Sequence, residues 1–153
     1  MIRLARQDDL AGILALYRAL HPTDTSLNAT EARADDWARV LACPMVRVVV
    51  AEAETDHCLA ATCTLTMVPN ITRQGRSYGL IEHVITLPAC RRQGHARQVL
   101  QYALAQAWAA GCYKVMLLSG TQRADAHALY ESVGFTGGQE AAFVARPPSP
   151  ALA

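Results

Sequence analysis

Apolar positions along the chain alternate between compact runs and longer stretches with helical spacing. Four stretches carry apolar residues three or four positions apart and predict amphipathic helices: residues 10–20, 30–42, 92–110 and 124–133. Six compact runs rich in β-branched or other apolar residues predict strands: residues 2–5, 45–52, 58–68, 78–87, 113–118 and 139–145. The predicted order is β-α-α-β-β-β-α-β-α-β, an α/β fold with a mixed central sheet flanked by helices.

The connections between these elements carry turn signals. Residues 53–57 join two predicted strands and favour a hairpin, and polar residues 23–28 form a predicted loop between the first two helices. Gly111 is positioned to end the long third helix as a C-terminal cap. Because no internal repeat or boundary interrupts the pattern, residues 1–145 are predicted to form one domain, followed by a loose, proline-rich tail at 146–153.

Composition narrows the class of protein. The 153 residues are 52% hydrophobic and 18% charged with a net charge of +1, which is typical of a globular domain and argues against a general nucleic-acid binder. The five cysteines are scattered without C-x-x-C spacing, which favours reduced thiols over disulfides or a metal site. No signal region or membrane-spanning stretch is apparent, so we expect a cytoplasmic protein without membrane association.

A basic turn joins the apolar run 78–87 to the following helix, and it reads Arg91-Arg92-Gln93-Gly94-His95-Ala96. The first N–H groups of a helix lack internal acceptors, and the helix dipole adds partial positive charge there. Gly94 removes the Cβ that would hold a ligand away from the backbone. The turn is therefore a candidate site for a phosphate or pyrophosphate, while an ordinary basic helix start is the alternative that the hexamer alone leaves open.

Two motifs in this order resemble the GCN5-related N-acetyltransferase (GNAT) superfamily. The turn pattern Gln/Arg-x-x-Gly-x-Gly/Ala is matched by Arg91, Gly94 and Ala96 at a strand-to-helix junction. A second pattern, Tyr-x-x-x-Gly-Phe at the end of the last helix, is matched beginning at Tyr130. Each motif alone is weak, but their order and spacing make the resemblance specific, and it covers residues 1–145.

The resemblance implies acetyl-CoA as the acetyl donor, without a metal. The strand backbone is expected to pair with the pantetheine arm and the turn to hold the pyrophosphate. The residues implied in cofactor binding are Val84, Ile85, Thr86, Arg91, Arg92, Gln93, Gly94, His95, Ala96, Arg97, Arg123 and Tyr130. Arg123 departs from the family pattern, since many relatives carry an asparagine there. It could pair with a CoA phosphate or simply cap a surface helix.

Candidate catalytic residues follow from the same resemblance. Tyr130 is the predicted general acid, because a phenol with a pKa of about 10 stays protonated at neutral pH and can donate to a thiolate. Glu82 is the candidate base or acceptor contact, with an ion pair to Arg73 or Arg76 as the alternative. In a regular strand His83 points to the other face, where a lone histidine is more often a packed or interface residue. Its near-neutral pKa makes it an alternative base, and a water relay is a further alternative.

These observations predict direct acetyl transfer to the primary amine of a small molecule. The stretches Ile81-Glu82-His83-Val84 and Cys112-Tyr113-Lys114-Val115 look similar to the glucosamine-phosphate acetyltransferase branch, a likeness that indicates lineage rather than substrate. An amino sugar or its phosphate is one candidate acceptor. The alternatives are acetylation of a protein lysine or N-terminus, and a non-catalytic acetyl-CoA-binding module of the same fold. The resemblance also suggests a homodimer, because members of the superfamily often pair through their sheets and C-terminal strands.

Overall fold

The computed structural model describes residues 1–24, 31–53 and 58–147. In chain order its helices and strands are β1 (Ile2–Leu4), α1 (Leu10–Leu20), α2 (Glu31–Ala42), β2 (Val46–Glu52), β3 (Leu59–Val68), a short helical turn α3 (Thr72–Gly75), β4 (Tyr78–Thr86), α4 (His95–Ala109), β5 (Val115–Leu117) and α5 (Ala124–Glu131). The chain forms two compact units, Met1–Leu117 and Leu118–Ala153. The α/β class and the mixed sheet flanked by helices, as predicted, are confirmed.

The first unit contains the five-stranded sheet, in the order β1-β2-β3-β4-β5. The first four strands pair antiparallel, and β4 pairs parallel with β5 after the crossover through α4. Antiparallel pairing of Ala51 with Ala61 confirms the predicted hairpin between β2 and β3, although its tip, residues 54–57, lies outside the described residues. Apolar residues on β2 and β3 occur in nearly continuous runs because helices contact both strands.

Two sets of apolar side chains fix the helices to the sheet. The helix α4 buries four small or branched residues completely, namely Val99, Leu100, Ala103 and Ala107. The helices α1 and α2 join another cluster with β2, β3 and β4, formed by Ile13, Leu16, Trp37, Val48, Val50, Leu59 and Ile85. These sets position the second half of β4 beside α1, which matters for the site below.

Charged groups anchor β1 to the start of α1 and to the end of β2. The guanidinium of Arg3 donates to both carboxylate oxygens of Asp9 at 2.7 and 2.9 Å, and to Glu52 at 2.6 Å. The hydrogen bonds from Arg3 lower the pKa of Asp9 and raise that of Arg3. Because these side chains are mostly withdrawn from solvent, with 10–16% of each exposed, the contacts are screened little by water.

The predicted final strand is wrong. Residues 139–145 have no regular secondary structure, and Phe143 and Val144 are 94% and 61% exposed. A strand needs a partner for its N–H and C=O groups, and no ladder in the described part of the chain reaches these residues. The division between a domain at 1–145 and a tail at 146–153 stays a prediction, since residues 148–153 are outside the described residues.

One smaller difference concerns a helix boundary. The helix predicted from residue 92 begins at His95, because Arg92 and Gly94 take left-handed backbone angles that no α-helix contains. The loop predicted at 23–28 lies outside the described residues from position 25 onward. No helix within residues 1–24, 31–53 and 58–147 is both long and apolar enough to cross a membrane.

Candidate active site

A β-bulge interrupts the second half of β4. Thr64 of β3 pairs with Glu82, whereas Thr62, two residues away, pairs with Ile85, so β4 carries one residue more than β3 across this interval. His83 lies inside the interval with a φ of 52°, in the left-handed region. That conformation costs a non-glycine residue about 1–2 kcal/mol. The pairing on both sides of the bulge must therefore hold His83 in place.

Beyond the bulge, one edge of β4 has no strand beside it. The parallel ladder covers only Gly79–Ile81 of β4 and Val115–Leu117 of β5. On the opposite side Glu82, Ile85 and Thr86 pair with β3, and within the described ranges no strand pairs with residues 82–86 on the β5 side. Outward-facing N–H and C=O groups in this segment can pair with an extended ligand as a strand would. The segment includes the predicted contacts Val84, Ile85 and Thr86.

The turn after β4 presents backbone donors at the start of α4. Its N-cap, Gly94, has a φ of 86°, and an added Cβ there would meet no atom within 4 Å. Among the described residues, the N–H groups of Gly94, His95 and Ala96 have no backbone acceptor. His95 Nδ1 is buried there and likewise lacks a hydrogen-bond partner. Donors converging at the positive end of a helix, with open space in front of them, suit an anionic group.

Cationic side chains surround these donors. Arg91, Arg92 and Arg97 are all exposed, so they place positive charge on the surface of the turn. Gln93 instead folds back, and its Nε2 donates to the carbonyl of Ala89 at 3.2 Å. The turn as predicted is thus present as a unit, with Gln93 stabilising its shape rather than presenting its side chain.

On the α1 side of the sheet, the ring of His83 contacts Tyr17, and Glu82 lies near enough for its charge to act on that tyrosine. The rings of Tyr17 and His83 have centroids 4.9 Å apart and are tilted by 32°. Burial raises the pKa of Tyr17, and the nearby charge of Glu82 raises it further. The prediction that Glu82 and His83 point to opposite faces is therefore wrong, because the extra residue of the bulge breaks the alternation on which it depended.

The electrostatics of His83 favour its neutral form. Loss of hydration lowers the pKa of His83, an effect that the charge of Glu82 opposes and the neighbouring His21 reinforces. The imidazole nevertheless keeps exposed surface, so it is accessible from solvent. The arrangement places a carboxylate and an uncharged imidazole next to each other at the rim of the sheet.

Comparison with known proteins decides the family. A model of the Acetyltransferase (GNAT) family matches residues 12–135, which is most of the chain and includes both motifs. The chain belongs to the GNAT family. The predicted resemblance to that superfamily is confirmed.

Relatives of this GNAT chain agree with the assignment. A solved structure from Agrobacterium tumefaciens str. C58, provisionally assigned as an acetyltransferase, is 40% identical with a TM-score of 0.87, over 95% of this chain and 99% of that one. A glucosamine-6-phosphate N-acetyltransferase from Arabidopsis thaliana is 21% identical with a TM-score of 0.82, over 96% of this chain and 97% of that one, and shows the shared fold. The uncharacterized N-acetyltransferase YhdJ of Bacillus subtilis (strain 168) is 36% identical over 70 residues, 45% of this chain. The chain matches about half the length of that curated relative, 49%.

The second GNAT motif lies in the second unit. Tyr130 is buried in the last turn of α5, and its ring meets Phe135 edge-to-face with centroids 6.2 Å apart. The N–H of Phe135 donates to the carbonyl of Tyr130 at 3.1 Å, and Gly134 makes the turn with a φ of 101°. Arg123 is the N-cap of α5 without a side-chain capping bond. The roles of Tyr130 and Arg123 in this GNAT protein stay predictions.

Sequence reasoning missed Tyr17 as a site residue. Its spacing on α1 marked it as one more apolar contact, and only the bulge, which depends on pairing with β3, brings it to Glu82 and His83. The alternative ion pair of Glu82 with Arg73 or Arg76 is not found among the described residues. Arg76 instead donates to the backbone carbonyls at the end of α4, at 3.0 and 3.1 Å.

Proposed function

We propose that this GNAT protein transfers the acetyl group of acetyl-CoA to the primary amine of a small molecule. The observation that carries the proposal is the unpaired edge of β4 leading directly to the donor-rich turn before α4. An extended pantetheine arm and a pyrophosphate need these two features, in this order. Acetyl-CoA supplies a thioester whose carbonyl carbon exchanges its C–S bond for a C–N bond to the acceptor.

The residues available for holding the donor are mainly backbone groups. N–H groups of Gly94, His95 and Ala96 would bind the pyrophosphate, with Arg91 and Arg92 adding charge. Buried His95 Nδ1, which has no partner among the described residues, fits a polar group bound at this turn. Val84, Ile85 and Thr86 would pair with the pantetheine amides through the open edge of β4.

Groups near the bulge and in α5 would stabilise the oxyanion, bind the acceptor and protonate the leaving sulfur. An N–H directed outward near Val84 would hydrogen-bond the developing oxyanion. Glu82 would contact the acceptor ammonium, and Tyr130 would donate a proton to the departing sulfur. For Tyr130 the support is its place in the second family motif, together with a phenol that is protonated at neutral pH.

For the acceptor we favour a small, anionic amine such as an amino sugar or its phosphate. The support is charge, since Arg73 and Arg76 line a groove of about 440 Å³ together with Gln74 and Tyr113, and Arg73 lies over the Tyr113 ring at 5.8 Å. The similarity of residues 81–84 to the glucosamine-phosphate branch is one of lineage and agrees with this class of acceptor.

The test is thiol release from acetyl-CoA with a panel of amines: amino sugars and their phosphates, polyamines, amino acids and a lysine peptide. Turnover with a small amine is the expected result, and turnover only with the peptide would replace the proposal with protein acetylation. If no amine in the panel is acetylated, calorimetry with acetyl-CoA distinguishes two explanations. Tight binding of acetyl-CoA without turnover would favour a non-catalytic binding module. Absence of binding would refute the cofactor site.

A separate substitution tests Tyr130 as the general acid. Tyr130→Phe removes only the hydroxyl and keeps the ring contact with Phe135, so we expect acetyl-CoA affinity to be unchanged while kcat falls by about 10²-fold, the lower end for general acid catalysis. An unchanged kcat would remove Tyr130 as the acid.

A further inference from the structure

His83 is exposed, yet both its backbone conformation and its ring contact with Tyr17 constrain it. His83 adopts left-handed backbone angles inside the bulge, and its ring lies 4.9 Å from that of Tyr17, which is itself largely buried in α1. Non-glycine residues held in such conformations cluster at functional sites, because folding alone gains nothing from the strain. The strain at His83 therefore indicates a functional role for this residue.

Acetyl transfer includes a step that needs such a residue, the removal of a proton from the acceptor amine. An alkylammonium titrates near pH 10, so at neutral pH nearly every acceptor must lose a proton before its nitrogen can attack. The receiving group must be uncharged at working pH and within reach of the acceptor. His83 is exposed at the rim of the sheet, one residue from the Val84 backbone at the open edge of β4.

We infer that His83 is the group that takes the proton from the acceptor ammonium, with Glu82 drawing the ammonium in and Tyr17 positioning the imidazole. This assignment rests on the proposed acetyl transfer. It makes His83 a catalytic residue and Tyr17 a positioning residue. The sequence alone leaves Glu82, His83 and a water relay as candidates for this step.

The proton balance is simple. The acceptor N–H bond breaks, the proton bonds to the unprotonated ring nitrogen of His83, and the electron pair stays on the amine. The negative charge of Glu82 favours the imidazolium that forms. Solvent then removes the proton from the exposed ring before the next turnover.

The groups facing His83 determine its pH response. Three titratable side chains interact with it or its ring contact: Glu82 on β4, Tyr17 on α1, and His21 at the end of α1. Desolvation lowers the pKa of His83, so the ring stays neutral through pH 7 and protonates only in more acid solution. Activity should fall as the pH drops through that lowered pKa, since a protonated imidazole cannot act as base.

The test compares His83→Asn with the wild-type protein across pH. Asparagine tolerates the left-handed backbone but does not titrate. We expect kcat/KM to fall by about 10²-fold at pH 7, with the acid limb of the profile moved from the pKa of His83 to that of the acceptor amine. The deficit should shrink toward wild type near pH 10, where much of the acceptor is already unprotonated. A deficit that is equal at every pH, or a normal rate, would overturn the assignment.

Two further variants separate positioning from folding. Tyr17→Phe keeps the ring and should stay near wild type, whereas Tyr17→Leu removes the stack and should move the acid limb toward the ordinary histidine pKa. His83→Gln provides a second replacement if His83→Asn folds poorly, and unchanged acetyl-CoA affinity by calorimetry confirms the fold. A wild-type protein that binds acetyl-CoA without turning over any amine refutes the proposed function. Turnover that His83 variants leave intact refutes only the present inference.

Discussion

Replacing Gly94 by alanine tests the phosphate-binding turn directly. The backbone at Gly94 has a φ of 86°, so an alanine there is strained by about 1–2 kcal/mol. The new Cβ would meet no protein atom within 4 Å, so it adds no packing cost. For a chain of 153 residues we therefore expect a melting temperature lower by about 2–8 °C.

Gly94→Ala should also weaken the binding of acetyl-CoA, by a mechanism separate from its effect on stability. The same Cβ would stand in the open space that the N–H groups of Gly94, His95 and Ala96 face. If a phosphate of acetyl-CoA occupies that space, the methyl group lengthens at least one charge-assisted hydrogen bond, worth about 1.5–3 kcal/mol. The dissociation constant for acetyl-CoA should then rise by about 10-fold or more.

Gly111 offers a matched control at the other end of the same helix. Its φ is 76°, and a Cβ there also meets nothing within 4 Å, so Gly111→Ala should cost the fold a similar amount. Calorimetric titration with acetyl-CoA and thermal unfolding of both variants separate the two effects. Equal weakening of acetyl-CoA binding by both substitutions, or by neither, would refute the placement of the pyrophosphate at the turn.

Three other predictions concern the first unit. Asp9→Asn should lower the free energy of unfolding by about 2 kcal/mol at pH 7, because it removes the contact with Arg3 that lowers the Asp9 pKa. The stabilisation from this contact is present above the ordinary carboxyl pKa and is lost as the pH falls through the lowered pKa of Asp9. Urea unfolding of both proteins from pH 7 to 3 measures the difference, and a free energy of unfolding that depends on pH in the same way in both proteins would contradict the prediction. Burial raises the pKa of Cys63 to about 12, so iodoacetamide at pH 8 should modify exposed Cys58 but spare Cys63 until the protein unfolds, as mass spectrometry can check. Finally, His83→Gly should be more stable than His83→Ala by about 1 kcal/mol in denaturant unfolding, the reverse of the order in a regular strand.

The order of elements was predictable because it depends on local pattern. Periodicity placed the four long helices, the five strands of the sheet and the turn before α4 within a few residues of their observed bounds. Gly94 was recognisable because a glycine in a turn that opens a helix lets a ligand approach the backbone, whereas its left-handed φ of 86° was not predicted. The predicted final strand failed for the opposite reason. Its apolar run has no partner in the described sheet, and no local pattern reveals whether a partner exists.

The candidate site was only half predictable. Residues 82–86 and 91–97 were identified from family motifs, and the backbone there has the open edge and unpaired donors that the motifs imply. The contacts of Glu82 and His83 could not be inferred, because strict alternation assumes that both strands of a ladder advance together. Nothing in the stretch from Ile81 to Val84 marks an added residue, and the bulge is set by the register with Thr62 and Thr64 of β3.

One irregularity in β4 accounts for both halves of the proposed chemistry. A bulge adds a residue to one strand and increases its local twist, and this one lies directly after the last pair of β4 with β5, Ile81 with Leu117, where β5 ends. From there on the edge of β4 is open for an extended donor. The same added residue breaks the alternation, so Glu82 and His83 share the α1 side, where the His83 ring contacts Tyr17, while Ile85 still reaches the core. A regular strand could not do both, because keeping Ile85 buried would then turn Glu82 toward the opposite face of the sheet.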